Sequence, residues 1–381
     1  MRIGIYIDVL KQAEQSGIAR HVAGLLRALG RVDKENDYIL YYGTTSSGDP
    51  DLSEKYDFGP NFSFRRLPLA KLTQHQRPRI WWGLIVPVIA TFDRIDVFHG
   101  PNFFIPTRGH FKRVVTIHDL AFFHMDVHGP GMDRIMREWT LKSLDSAHKV
   151  IAVSESTSRD CVAVGTPPDK LVTIYQGFED GMPNLGATAE LDLSVATGVP
   201  TGTPLILYVG TLQPRKNIPV LVKAFAAIKD QTPHQLVLAG AKGDSFEDIT
   251  TLINQLGAND RITITGYVDD ATRATLYQAA DIFVYPSLYE GFGLVLLEAM
   301  NAGLPTIAAE NSSLTEAGGD ATKYFDTHSI ESLSEVMLEV LGSEEVRRTM
   351  IERGHAHTQR FSWDEAARQH IELYKAALWN N

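Results

Sequence analysis

The chain has 381 residues, which is long for a single hydrophobic core and suits two domains of ordinary size. Apolar residues make up 44% and charged residues 22%, the balance of a globular protein, and the one cysteine, Cys161, excludes an intramolecular disulfide or a cysteine-based zinc cluster and points to a reducing compartment. The net charge of −10, with no nucleic-acid motif in the chain, argues against a nucleic-acid partner.

The N-terminal run MRIGIYIDVL opens directly on a strand-like pattern. It has neither the long apolar region nor the small-residue cleavage site of a secretory signal, so a cytoplasmic location is expected. Residues 2–9 have the apolar, β-branched form of a buried parallel strand. After Ser16-Gly17, residues Ile18, Val22, Leu25, Leu26 and Leu29 recur at helical spacing. Further strands are expected at 38–42, 62–67, 97–99, 114–118, 150–153 and 171–174, with helices between several of them, as at 132–146. Residues 58–92 hold Arg65, Arg66, Lys71, Arg77 and Arg79, no acid at all, and the pair Trp81-Trp82. Such a basic, aromatic segment can rest on an anionic membrane surface. Its other reading is a solvated face followed by a core helix. The apolar run 81–92 is too short to span a bilayer and is interrupted by Pro87.

Residues 184–204 are rich in Gly, Pro, Thr and Ala without periodicity and read as an interdomain linker or a loop leading from it. A second β/α series comes next, with strands expected at 204–210, 235–240, 262–266, 282–285 and 306–308. Helices are expected at 218–229, 248–256, 270–278, 293–302 and 330–341. The charge divides along the same line: residues 1–180 carry 22 Lys and Arg against 21 Asp and Glu, and residues 181–381 carry 14 against 25. The chain ends in an amphipathic helix with Trp363, Ala366, Ala367, Ile371, Tyr374 and Leu378 on one face. Two consecutive α/β series imply two doubly wound lobes, in which ligands bind beyond the carboxyl ends of the strands.

Four loops after strands carry candidate chemistry. In SLYEGFGLVLLEAMNAGLPTIA, Pro286 stops a strand, Gly291 and Gly293 permit a tight turn, and a helix begins near Gly293. Helix N-termini offer N–H groups and a positive dipole end, a cradle for phosphate or polarised hydroxyls. Glu290 precedes the helix and Glu298 lies within it, spaced to address different parts of one elongated polyhydroxyl ligand. The plainer alternative is that Glu290 caps the helix and Glu298 is merely exposed. In GTLQPRKN at 210–217, Arg215 and Lys216 put a fork donor and a point charge before a helix, a pair suited to a diphosphate. At 116–119, His118 ends a strand, with Asp119 placed to orient it or to cap the next turn of chain. At 15–20, Gly17 lets backbone approach a phosphate at a helix start, without forming the G-x-G-x-x-G fingerprint of dinucleotide oxidoreductases.

These loops together resemble the retaining GT-B glycosyltransferases of family 4. The strongest match is Glu290-Gly-Phe-Gly-Leu-Val-Leu-Leu-Glu298, the E-x7-E motif of that family, supported by GTLQPRKN, by SSLTEAGGDATKYFD at 312–326 and by Gly17. Asn301 and Thr315 depart from the residues common there. The resemblance implies an α/β GT-B fold of two Rossmann-like lobes facing a central cleft. Residues 1–190 would form the acceptor-side lobe, joined by the C-terminal helix 363–381 crossing back, and 200–362 the nucleotide-sugar lobe. It also implies that Glu290 and the backbone of Phe292, Gly293 and Leu294 hold the donor sugar and phosphates, and that Glu298 takes the ribose hydroxyls. Arg215 and Lys216 would neutralise the leaving diphosphate in place of a metal, Gly17 would approach it, and His118 would meet the donor sugar near the reacting centre. The D-x-D alternative of metal-dependent transferases finds only Asp49-Pro-Asp51, in a Ser/Gly-rich turn.

GPNFFIP at 100–106 and TIHDLAFF at 116–123 resemble bacterial mannosyl- and D-rhamnosyltransferases of polysaccharide assembly. That implies a GDP-linked donor, no further cofactor and a growing, lipid-linked glycan acceptor. A UDP- or dTDP-sugar transferase, an epimerase or phosphorylase of the same fold, and a non-catalytic two-lobed sugar binder are the competing readings.

Overall fold

The computed structural model describes residues 1–43, 50–68, 78–127, 129–178, 193–200 and 202–379. Its chain forms two compact units, Met1–Gly177 with Phe361–Asn381 and Phe178–Arg360. Each is built on one parallel sheet whose inner strands are largely buried on both faces, which is why those strands read as apolar runs.

In the first unit, β1 (Arg2–Tyr6), β2 (Asp37–Gly43), β3 (Phe62–Leu67), β4 (Val97–Gly100), β5 (Lys112–Ile117), β6 (Lys149–Ala152) and β7 (Leu171–Thr173) lie in the order β3-β2-β1-β4-β5-β6-β7. The chain order reverses between β1 and β4, the switch point where such sheets bind ligands. Helix Gly17–Val32 starts at Ser16, whose Oγ accepts the Ala19 N–H at 3.1 Å, and it buries Val22, Leu25, Leu26 and Leu29. The C-terminal helix Trp363–Trp379 belongs to this unit and packs against it. The Trp363 indole lies where a Cβ on Gly24 would come within 2.5 Å, Arg31 pairs with Asp364 at 2.7 Å, and the Tyr374 hydroxyl meets His99 Nδ1 at 2.7 Å.

The segment after β3 corrects one expectation. Lys71 and Arg77 lie outside the described residues. Trp81 and Trp82 do not face outward: both are buried, their rings edge-on to Tyr6 at 6.4 and 4.9 Å. A π-helical turn at Trp81–Ile85, between helical pieces Pro78–Ile80 and Val86–Phe92, directs two adjacent indoles into the core, where their area is worth most.

In the second unit, β8 (Leu205–Val209), β9 (Gln235–Ala239), β10 (Ile262–Gly266), β11 (Ile282–Tyr285), β12 (Thr306–Ala309) and β13 (Thr322–Phe325) lie in the order β10-β9-β8-β11-β12-β13. The reversal here falls between β8 and β11. β13 and the helix Glu344–Thr358 were not expected from the sequence. Of the expected linker, residues 184–192 and 201 lie outside the described residues, and Leu193–Thr197 forms a short helix. Asp49 is likewise outside them. Asp51 caps the helix Leu52–Lys55 and accepts the Tyr42 hydroxyl at 2.9 Å, a structural duty. Among the described residues no helix is long and apolar enough to cross a membrane.

Candidate active site

The loops after β8 and β11 flank the switch point of the second sheet, and they bring Arg215, Lys216 and Glu290 into one cluster. Pro286 ends β11, and the backbone then turns so that the Leu288 N–H donates to the Arg215 carbonyl at 2.9 Å, tying the two loops together. Lys216 Nζ lies 2.6 Å from Glu290 Oε1, and Arg215 Nη1 lies 2.9 Å from Oε2, so each cation holds one carboxylate oxygen. The Tyr285 hydroxyl, at the end of β11, accepts from Lys216 at 2.5 Å and donates to Glu290 Oε1 at 3.0 Å. Arg215 also donates to the Tyr289 carbonyl at 2.6 Å. The Glu290 backbone is fixed on both sides: its N–H donates to Ser312 Oγ at 3.0 Å, and its carbonyl accepts from Ser313 Oγ at 2.8 Å.

Burial alone would raise the Glu290 carboxyl, but Lys216 and Arg215 outweigh it and hold it down at about 2. Burial and the same carboxylate push the Tyr285 phenol well above its usual range, so its hydroxyl keeps the proton it donates. The three ionic groups sum to one net positive charge, partly desolvated and preorganised at a strand end.

Glu290 does not cap the following helix. The helix Leu294–Asn301 starts after Gly293, whose φ of +107° favours glycine, and no side chain caps it. Phe292 and Gly293 are buried, and Leu294 is half-buried. Glu298, on this helix, faces a separate set: the Tyr277 hydroxyl donates to its Oε2 at 3.2 Å, and Arg273 Nε stands 3.7 Å away. Tyr285, Tyr277 and Arg273 were not singled out in the sequence. Arg273 and Tyr277 sit four residues apart on the helix Asp270–Ala279, one face of a helix following a strand, and that spacing is the signal that was there to find.

His118 and Gly17 lie in the first unit. His118 follows β5 and is buried; its Nε2 donates to the Pro101 carbonyl at 2.7 Å, in the loop after β4. Burial lowers its pKa against the pull of that bond and of Asp119. The ring is therefore neutral near pH 7, with Nδ1 as its acceptor. Asp119 caps the next turn of chain, its Oδ1 accepting the Ala121 N–H at 3.0 Å. The His21 ring meets His118 edge-on at 4.7 Å. Gly17 is exposed as the first residue of its helix, and a Cβ there would meet nothing within 4 Å.

Two family models cover the chain in sequence: Glycosyltransferase Family 4 matches residues 15–180, and Glycosyl transferases group 1 matches residues 192–357. The O-antigen chain mannosyltransferase B of Escherichia coli is 31% identical over 376 residues, covering 94% of this chain and 96% of the relative. Sucrose-phosphate synthase from Thermosynechococcus elongatus superposes with a TM-score of 0.79 at 22% identity over 100% of both chains. The Anabaena protein HepE, solved in complex with UDP and glucose, superposes with a TM-score of 0.72 at 19% identity over 99% of this chain and 100% of that one. The chain belongs to the family 4 glycosyltransferases of the GT-B fold, and it is a glycosyltransferase.

Proposed function

We propose that the protein is a retaining, metal-independent hexosyltransferase that moves mannose or D-rhamnose from a GDP-sugar to a growing, lipid-linked polysaccharide, working in the cytoplasm at a membrane surface. The observation that carries this reading is the Arg215–Lys216–Glu290 cluster at the switch point of the second sheet. Breaking the anomeric C–O bond leaves a nucleoside diphosphate with added negative charge, and a fixed net cation already in place stabilises that charge without reorganising. The Escherichia coli mannosyltransferase, similar along nearly the whole chain, supports mannose as the sugar and an O-antigen polysaccharide as the acceptor.

In this mechanism Arg215 and Lys216 receive the diphosphate, together with the backbone at Phe292, Gly293 and Leu294; in the first unit the family resemblance assigns Gly17 to the diphosphate and His118 to the donor sugar. Glu290 remains ionised, so it is not the acid. With one oxygen on each cation it organises the pair and uses its remaining lone pairs for hydroxyls of the donor sugar. Glu298 takes the ribose hydroxyls. The acceptor hydroxyl attacks the anomeric carbon on the face the diphosphate leaves. The new C–O bond forms as the old one breaks, and the hydroxyl proton passes to the departing phosphate oxygen.

A thermal-shift panel of GDP-, UDP-, ADP- and dTDP-sugars tests the donor. At a donor concentration a hundred times its Kd, stabilisation of about 2.7 kcal/mol is expected for GDP-mannose or GDP-rhamnose. A larger shift with a UDP- or dTDP-sugar replaces the donor. Epimerised donor formed without acceptor removes the transferase chemistry.

A further inference from the structure

The helical segment whose inner face buries Trp81 and Trp82 leaves its outer face apolar. Ile80, Leu84, Val88 and Phe92 are 36, 58, 43 and 79% exposed, one at every fourth residue. Four residues overshoot a full α-turn, so a stripe at this spacing would drift around a plain α-helix. The wider π turn at Trp81–Ile85 offsets the first of these steps, and along the α-helix Val86–Phe92 each residue of the row still neighbours the one four before it. An exposed row of large apolar residues is costly in water unless something covers it.

Cations stand at both ends of the row. Arg79, whose side chain is 81% exposed, adjoins Ile80, while exposed Arg94 follows Phe92 and Arg65 reaches Asp93 at 3.5 Å. Residues 58–92 contain no Asp or Glu. The nearby acids are engaged: Asp93 accepts the Tyr41 hydroxyl at 3.0 Å, Asp96 accepts the Arg2 N–H at 2.7 Å, and Glu138 lies 3.7 Å from Arg79 and bonds Lys142.

The geometry points to this stripe as the surface on which the protein docks to an anionic lipid bilayer, lying in the interfacial plane with its arginines at the headgroups. The inference deepens the proposed function and rests on its membrane-side acceptor. It also moves the docking role away from the two tryptophans, which form the inner wall. Trp82 packs on Phe104 at 6.3 Å, Phe104 on Phe103 at 6.5 Å, and Phe103 on His118 at 6.0 Å. The docked helix is thus backed by one aromatic layer that ends on the histidine assigned to the donor sugar.

The test is flotation of the full chain with vesicles of phosphatidylethanolamine and phosphatidylglycerol, and with vesicles of phosphatidylcholine alone. It compares the wild type, Leu84→Ser/Phe92→Ser and Arg79→Ser/Arg94→Ser, with unfolding temperatures checked in parallel. The wild type is expected to float with the anionic vesicles only, and each double variant to lose at least about tenfold of the bound fraction. Both variants should keep transfer to a water-soluble glycan acceptor. Equal flotation of variants and wild type overturns the inference. So does equal binding to phosphatidylcholine, or a wild-type dimer that Leu84→Ser/Phe92→Ser dissociates with no flotation by either. Wild-type flotation without any transfer to the soluble acceptor would instead remove the proposed reaction and leave the docking surface standing.

Discussion

Glu290 is a buried carboxylate held between two cations, and its chemistry comes from that position. Its pKa of about 2 lies below the ordinary 4.5, so the folded state binds its proton less readily than the unfolded chain does. The resulting stability is fully present above about pH 4.5 and is lost as pH falls toward 2, a contribution of about 3 kcal/mol. Glu290→Gln should therefore flatten the acid limb of stability in this window, measured by denaturant unfolding at a series of pH values; an unchanged limb would show that the ion cluster does not form. Lys216→Met alone leaves the carboxylate short of its nearest cation and should cost about 3–5 kcal/mol. Combined with Glu290→Gln it should cost much less than the sum of the two single changes. Gly17 behaves in the opposite way. A Cβ there meets nothing, so Gly17→Ala should leave stability within about 0.5 kcal/mol while it impairs donor binding. If its donor affinity matches the wild type, Gly17 has no part in the site.

At the scale of elements, the helix Trp363–Trp379 completes the first unit by seating Trp363 in a slot that glycines keep open. A Cβ on Gly24 or on Gly177 would fall within 2.5 Å of that residue. Trp363→Ala should destabilise by about 3–5 kcal/mol, read from the urea midpoint, because the slot is too rigid to collapse; a loss below about 1 kcal/mol would mean that the helix is not anchored there. The amphipathic pattern of this helix was legible in the sequence, and so were twelve of the strands, because a continuous apolar run flanked by Gly or Pro has few other uses. β13 was not: Thr322-Lys-Tyr-Phe325 is four residues with a central charge, and only its pairing with β12 makes it a strand. The sequence left Trp81 and Trp82 open between an interfacial face and a core helix, and the structure buries both rings, as the core-helix reading has it.

Across the whole molecule, the residues that bring the site together were legible where they share a short motif and obscure where they meet only in space. Arg215 and Lys216 stand in one contiguous motif, Glu290 and Glu298 in another that runs from a loop into a helix, and the reversal between β8 and β11 brings the two motifs side by side. Tyr285 reads as one more buried strand residue until Lys216 is found on its hydroxyl, and Arg273 and Tyr277 come from a helix with no motif of its own. The uneven charge of the chain, nearly neutral in its first half and acidic in its second, gains a physical setting from the exposed row at 80–92. If the Arg215–Lys216–Glu290 cluster stabilises the departing diphosphate, removal of one of its cations slows transfer. The most direct measurement is transfer of labelled mannose from GDP-mannose to a glycan acceptor by the wild type and by Lys216→Ala, each normalised to its folded fraction. A turnover loss of at least about a hundredfold is expected in the variant. Turnover equal to the wild type would contradict it.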